Sequence, residues 1–197
     1  MRNFTILLLV GLVTSAAALP AEAQRPQPAK HVSHNTPEGG TFAVAGSISP
    51  TKTESAFLDN GLGFAGNVEG YLARFLSLRG QVGAAFWDID GLSFDGTVRP
   101  VFALGNVVVG WTAGDWRPYV TGGGGMYRYE FNEGGVDGSN TKTGWDAGAG
   151  VEYFFAPEAT VTFETLFHNV ELVPTNRATL GYKGSFWAFT VGAKKYF

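Results

Sequence analysis

The sequence predicts an all-β fold, an eight-stranded antiparallel up-and-down transmembrane β-barrel. Three observations predict it. From Thr41 onward, apolar and polar residues alternate with a period of two through eight segments. One face of that alternation holds large aromatic and aliphatic side chains, and the other holds glycine, alanine and nearly all the charge. The connections between segments are alternately short and long, as periplasmic turns and external loops are.

Composition agrees with this reading and removes several others. The chain has 197 residues, with 28 glycines, 14% aromatic residues, 16% charged residues and a net charge of −3. Abundant rings and few charges exclude a disordered chain. The negative balance excludes a general nucleic-acid-binding surface. The absence of cysteine excludes a disulfide scaffold, a thiol nucleophile and a cysteine-based metal centre. Beyond the N-terminus no apolar run reaches the length of a helical membrane span.

Residues 1–23 read as a secretory signal peptide. Met1-Arg2-Asn3 is a short basic start, Phe4 to Val13 is the apolar core, and Ala21-Glu22-Ala23 fits a small-x-small cleavage site. Ala16-Ala17-Ala18 is a competing site. Residues 24–40 read as a flexible periplasmic linker, since they hold Pro26, Pro28 and Pro37 and almost no large apolar side chain. His31 and His34 in that linker lack an acidic or thiol partner nearby and read as part of a solvated tail, not a metal site.

The barrel is expected over 41–197. The first strand, about 41–49, shows Phe42, Val44 and Ile48 on its apolar face. The second, about 62–72, shows Leu62, Phe64, Val68 and Leu72; the third, about 77–88, shows Leu78, Val82, Ala84 and Phe86. Val68, Tyr71, Leu72, Phe75 and Leu76 also fit a helical stripe, but Gly66 and Gly70 interrupt it and strict alternation flanks it. Strand–turn–strand is therefore expected there. The fourth strand, about 97–112, shows Val101, Ala103, Val107, Val109 and Trp111. The fifth, about 117–131, shows Tyr119, Tyr127, Tyr129 and Phe131. The sixth, about 143–155, shows Trp145, Ala147, Ala149, Val151 and Tyr153. The seventh, about 159–169, shows Val161, Phe163, Thr165 and Phe167. The eighth, about 185–197, shows Trp187, Phe189, Val191, Ala193, Lys195 and Phe197.

Which face points inward decides where such a barrel lives. The apolar face so assigned carries fifteen aromatic rings, and an eight-stranded barrel is only wide enough for close-packed side chains or one small ligand. The rings are therefore expected outside, where they would aggregate in water but match a bilayer. Closure satisfies every backbone amide without water, as a bilayer demands. With the first strand running upward, Phe42, Trp111, Tyr119, Tyr153 and Phe197 form a lower interfacial girdle. Phe86, Tyr129, Phe131, Trp145, Phe167 and Trp187 form an upper one. Short lower turns and long upper loops complete the pattern, the upper loops being expected at 50–61, 89–96, 132–142 and 170–184.

These features resemble the small outer-membrane β-barrel family, the eight-stranded OmpA/OmpX-like and opacity-like porin-type barrels. The resemblance spans about 41–197 and is most specific in the closing strand, Phe189-Thr190-Val191-Gly192-Ala193-Lys194-Lys195-Tyr196-Phe197. It implies an outer-membrane location in a Gram-negative-type bacterium, outer-membrane lipids as surroundings, and Phe197 as a signal read by the outer-membrane assembly machinery. The family usually has an aromatic or apolar residue where this chain has Lys195.

The polar face is expected to build a lumen network from Glu69, Arg79, Gln81, Arg128, Glu130, Asp146, Glu152, Glu164, His168 and Lys194. The reading favoured by these residues is a non-catalytic barrel, plugged by paired side chains, with a structural or surface-interaction role. The alternative is a narrow passive pore for small ions, and the third reading is a lipid A-modifying enzyme. His168-Asn169 is the one candidate base in the barrel, and Val170 stands where lipid A deacylase barrels have serine. No cofactor or metal is expected. Asp88, Asp90 and Asp95 lack the full spacing and closing Glu of a calcium loop. Any extracellular partner at the loops is left unidentified.

Overall fold

The computed structural model describes residues 37–55, 58–89, 96–133, 136–170, 173–174, 181–182 and 184–197. The expected signal peptide, most of the linker, and Asp90, Asp95, Leu172 and Leu180 of the upper loops lie outside the described residues. The sheet strands are β1 (Phe42–Thr53), β2 (Gly61–Ala73), β3 (Leu76–Ile89), β4 (Gly96–Gly110), β5 (Trp116–Glu133), β6 (Val136–Ala156), β7 (Ala159–Val170) and β8 (Phe186–Tyr196). Each pairs antiparallel with its neighbour in sequence, and β1 pairs with β8 to close the barrel. At the seam Val44 lies opposite Lys195, and the Phe197 amide donates to the Phe42 carbonyl at 2.8 Å. The barrel sheet leaves no free edge strand among the described residues, which is the condition for an extended chain to cross lipid.

The segment that also fitted a helical stripe is β2, a turn at Arg74 and Phe75, and β3. The lower connections are short: Arg74-Phe75, Trp111 to Asp115 and Pro157-Glu158. Gly114 takes a φ of 62°, the left-handed region that glycine enters without a Cβ penalty. The expected upper loop at 132–142 is instead a continued ladder, in which Asn132 pairs with Asp137 and Arg128 with Thr141. β5 and β6 stay hydrogen-bonded well beyond the apolar belt, because an antiparallel pair satisfies its backbone equally well in water. In the last upper connection, Val173–Pro174 pairs with Gly181–Tyr182 as a separate two-stranded ladder.

Seven of the eight strands point as the alternation predicts. Phe42, Ile48, Phe64, Val68, Val82, Phe86, Val107, Trp111, Trp145, Phe163, Trp187, Phe189 and Phe197 are all exposed on the outer wall. Strand β5 is reversed. Tyr119, Tyr127, Tyr129 and Phe131 are buried inside the barrel, and Trp116, Val120 and Met126 face outward. Tyr119 therefore leaves the lower girdle, and Tyr129 and Phe131 leave the upper one. Arg128 and Glu130 leave the lumen for the outer wall, where they pair with each other at 3.3 Å. Register supplies the reason. Arg128 and Glu130 lie opposite Thr141 and Ser139, which are exposed polar residues on β6 beyond the girdle residue Trp145. Above the bilayer the outside is water, so rings turn inward and charges outward. Between that end and the membrane-spanning part, Gly122 to Gly125 carries no polarity with which to fix the phase.

On the outer wall Phe42, Trp111, Tyr153 and Phe197 lie toward the lower end, and Phe86, Trp145, Phe167 and Trp187 toward the upper end. Phe42 stacks on Phe197 with ring centroids 4.9 Å apart. Phe167 sits between Trp145 at 5.9 Å and Trp187 at 4.9 Å. Phe75, Trp116 and Phe155 add to the lower belt. Lys195 folds its ammonium over the Phe197 ring at 5.2 Å, the snorkelling geometry of a cation at the end of a lipid-facing strand.

Candidate functional site in the barrel lumen

The interior holds an ionic layer and an aromatic layer, with Ala43, Tyr71, Phe154 and Tyr196 forming a smaller buried cluster at the lower end. The lower layer is ionic. Glu69 on β2 accepts hydrogen bonds from Ser77 Oγ at 2.5 Å, Arg79 Nε at 3.2 Å and Lys194 Nζ at 2.8 Å. Arg79 on β3 reaches Glu164 on β7 at 2.6 Å. In the order around the barrel, β3 and β7 stand diametrically opposite, so this pair crosses the full lumen. Lys194 also donates to Glu152, and the Tyr196 hydroxyl donates to the same carboxylate. Arg117 on β5 lies 3.5 Å from Glu152 and 4.0 Å from Glu69. Tyr119 donates to Glu164 at 2.8 Å, and the Arg79 guanidinium lies over the Tyr119 ring at 5.3 Å.

These charges are buried to a few per cent exposure or less, except Glu164 at 8%. A buried pair of this kind gains little net stability over an apolar pair, but an unpaired member is very costly. The network therefore acts chiefly on register. A one-residue slip of any contributing strand would turn its charge into lipid.

The upper layer is aromatic. Trp87, Phe102, Tyr127, Tyr129, Phe131 and Phe186 pack with Leu58, Val98, Leu104, Leu166 and Val170 into one buried cluster. Trp87 Nε1 donates to Thr51 Oγ1 at 2.8 Å, and the Tyr129 hydroxyl donates to the Gly184 carbonyl at 2.5 Å. His168 stacks on Phe186 at 4.3 Å, and its Nδ1 lies 2.9 Å from the Tyr127 hydroxyl. Glycines directly opposite in register on the adjacent strand make room for the rings. A Cβ on Gly83 would come within 2.4 Å of Phe102 Cζ, and one on Gly150 within 2.5 Å of the Tyr119 ring and hydroxyl.

Of the residues expected in the lumen network, Glu69, Arg79, Glu152, Glu164 and Lys194 meet in the ionic layer. Asp146 lies apart, bonded to Asn106 Nδ2 at 2.5 Å, and His168 belongs to the aromatic layer. Gln81 is buried in the wall of a small cavity with room for about one water. Arg128 and Glu130 stand outside, as described. Sequence reasoning missed Arg117, Tyr71, Tyr119 and Tyr196. Arg117 itself was the available signal, because an arginine next to the outward-facing Trp116 in a lipid-crossing strand belongs inside and sets the phase of β5.

As a base, His168 has rings and a phenol as its company. Among the described residues no serine lies within hydrogen-bonding reach of it, and no group of three or more His, Asp or Glu side chains is placed to hold a metal.

Comparison with known proteins points one way. The family model for the outer membrane protein beta-barrel domain matches residues 5–194. The fold is similar to that of Neisserial surface protein A, with a TM-score of 0.62 and 15% identity over 80% of this chain and 99% of that one. It is also similar to Ail, the attachment invasion locus protein of Yersinia pestis, with a TM-score of 0.56 and 17% identity over 81% and 99%. The N-terminal barrel domain of Pseudomonas aeruginosa OprF aligns with a TM-score of 0.51 and 12% identity over 81% and 100%. No curated protein matches the sequence.

Proposed function

The chain belongs to the outer membrane protein β-barrel domain family, and from that premise we propose that it is an integral outer-membrane barrel with a structural or surface-interaction role, its lumen closed by its own side chains. The observation that carries the reading is the double seal. An ion pair spans the diameter between β3 and β7, and a cluster of rings closes the lumen above it. Eight strands leave only enough width for such packing. The lipid surroundings follow from the family and from the exposed apolar wall. Export by a signal peptide cut after Ala23, and delivery to the assembly machinery through the strand ending in Phe197, are part of the same proposal.

Planar-bilayer recording of the purified barrel tests the closed lumen. The expected trace shows no discrete, reproducible conductance steps; regular steps would replace this reading with that of a narrow ion pore. Lipid A-modifying chemistry is disfavoured by the inward, ring-packed position of His168. Lipid A mass spectra from cells with and without the gene are expected to coincide.

A further inference from the structure

Among the described residues the ionic layer balances its own charges, and one lumen acid stands outside it. Arg79, Arg117 and Lys194 pair there with Glu69, Glu152 and Glu164. Asp146 is a further acid, 1% exposed, with no ion pair among the described residues. An isolated carboxylate in such surroundings must be neutralised, because burying a bare charge costs far more than one strand pairing returns.

The structure shows what stands around it. Asp146 Oδ2 accepts from Asn106 Nδ2 at 2.5 Å, while Asp146 Oδ1, Asn106 Oδ1 and Thr121 Oγ1 are buried without a hydrogen-bond partner. Topology brings the three together. Asn106 and Asp146 are both register partners of Gly123, and Thr121 is the next residue along the same inner face of β5. Gly123 leaves the wall bare there, since a Cβ on it would come within 2.9 Å of Asn106 Cγ. The other ionisable groups nearby are already engaged. Arg79 and Glu164 hold each other at 2.6 Å, and the Tyr127 hydroxyl is with His168.

We propose that Asp146, Asn106 and Thr121 form a lumen site for a single monovalent cation of sodium size. Oxygens, one of them anionic, are the ligand type a hard cation takes, and these three would form part of a shell that water completes. A proton on Asp146 Oδ1 is the competing occupant, because the Thr121 hydroxyl has a proton of its own to pass to a further acceptor, and the salt comparison below separates the two. The count of charge selects the valence: among the described residues one positive charge brings the buried lumen groups to neutrality, and a divalent ion would leave a buried excess. This site goes beyond the closed-lumen reading and stands even if the barrel conducts.

The test is thermal unfolding of the folded full chain in detergent micelles at fixed pH, in sodium chloride against choline chloride at equal ionic strength. Sodium is expected to raise the unfolding midpoint of the wild type saturably, and Asp146→Asn is expected to remove the response. Thr121→Val keeps the charge and loses one ligand, so the half-saturating sodium concentration should rise about tenfold. Identical wild-type midpoints in the two salts would overturn the proposal in favour of a bound proton. A sodium response that survives in Asp146→Asn would overturn it in favour of an ion bound elsewhere. If Asp146→Asn does not fold, Thr121→Val decides alone, and an unchanged half-saturation overturns the site.

Discussion

Glu69 shows how much the lumen asks of one side chain. It is fully buried and faces three hydrogen-bond donors, two of them cationic. Glu69→Gln keeps the volume and removes the charge, which leaves Arg79 and Lys194 in the lumen with fewer compensating anions. The expected cost is about 3–5 kcal/mol, the range for stripping one partner from a buried ion pair. A urea titration of the folded barrel, followed by tryptophan fluorescence, measures it; an unchanged midpoint would show that water or lipid headgroups reach this layer. Arg117 is buried just as fully. Its charge was as plain as that of Glu69, but its importance depended on the phase of its strand, and the four glycines that follow blur that phase.

At the scale of a strand, β5 separates two rules that coincide elsewhere. Within the bilayer the outer wall is apolar, and beyond it the outer wall is wet, so a single strand obeys opposite patterns along its length. The upper end of β5 therefore buries Tyr127, Tyr129 and Phe131 and exposes Arg128 and Glu130. Because the chain has no cysteine, single replacements report cleanly. Arg128→Cys is expected to react with a membrane-impermeant maleimide on intact cells, and Tyr129→Cys to be protected; the reverse pattern would restore the opposite phase. The closing strand carries another expectation. Phe197 stacks on Phe42 and its amide bonds back to β1, so it completes the seam as well as the lower girdle. Deleting Phe197 should lower the amount of assembled barrel in the outer membrane several-fold, measured by surface labelling, and unchanged levels would remove Phe197 from the assembly signal.

For the whole molecule, closure and a filled lumen predict cooperative resistance. The folded barrel should keep its compact form in cold sodium dodecyl sulfate and migrate differently on gels after boiling; a single mobility at both temperatures would argue against a closed, well-packed barrel. The sequence by itself determined the strand number, nearly all strand boundaries, the up-and-down order, and the choice of outer face in seven strands. Each of those follows from local alternation in contact with one solvent, the lipid, and needs no knowledge of partners. Tertiary structure alone decided which residues meet across the lumen: that Arg79 reaches a strand on the far side, that Arg117 joins the ionic layer, and that rings rather than small residues pack together above it. Alternation says that a side chain points inward, but only curvature and register say what it will find there.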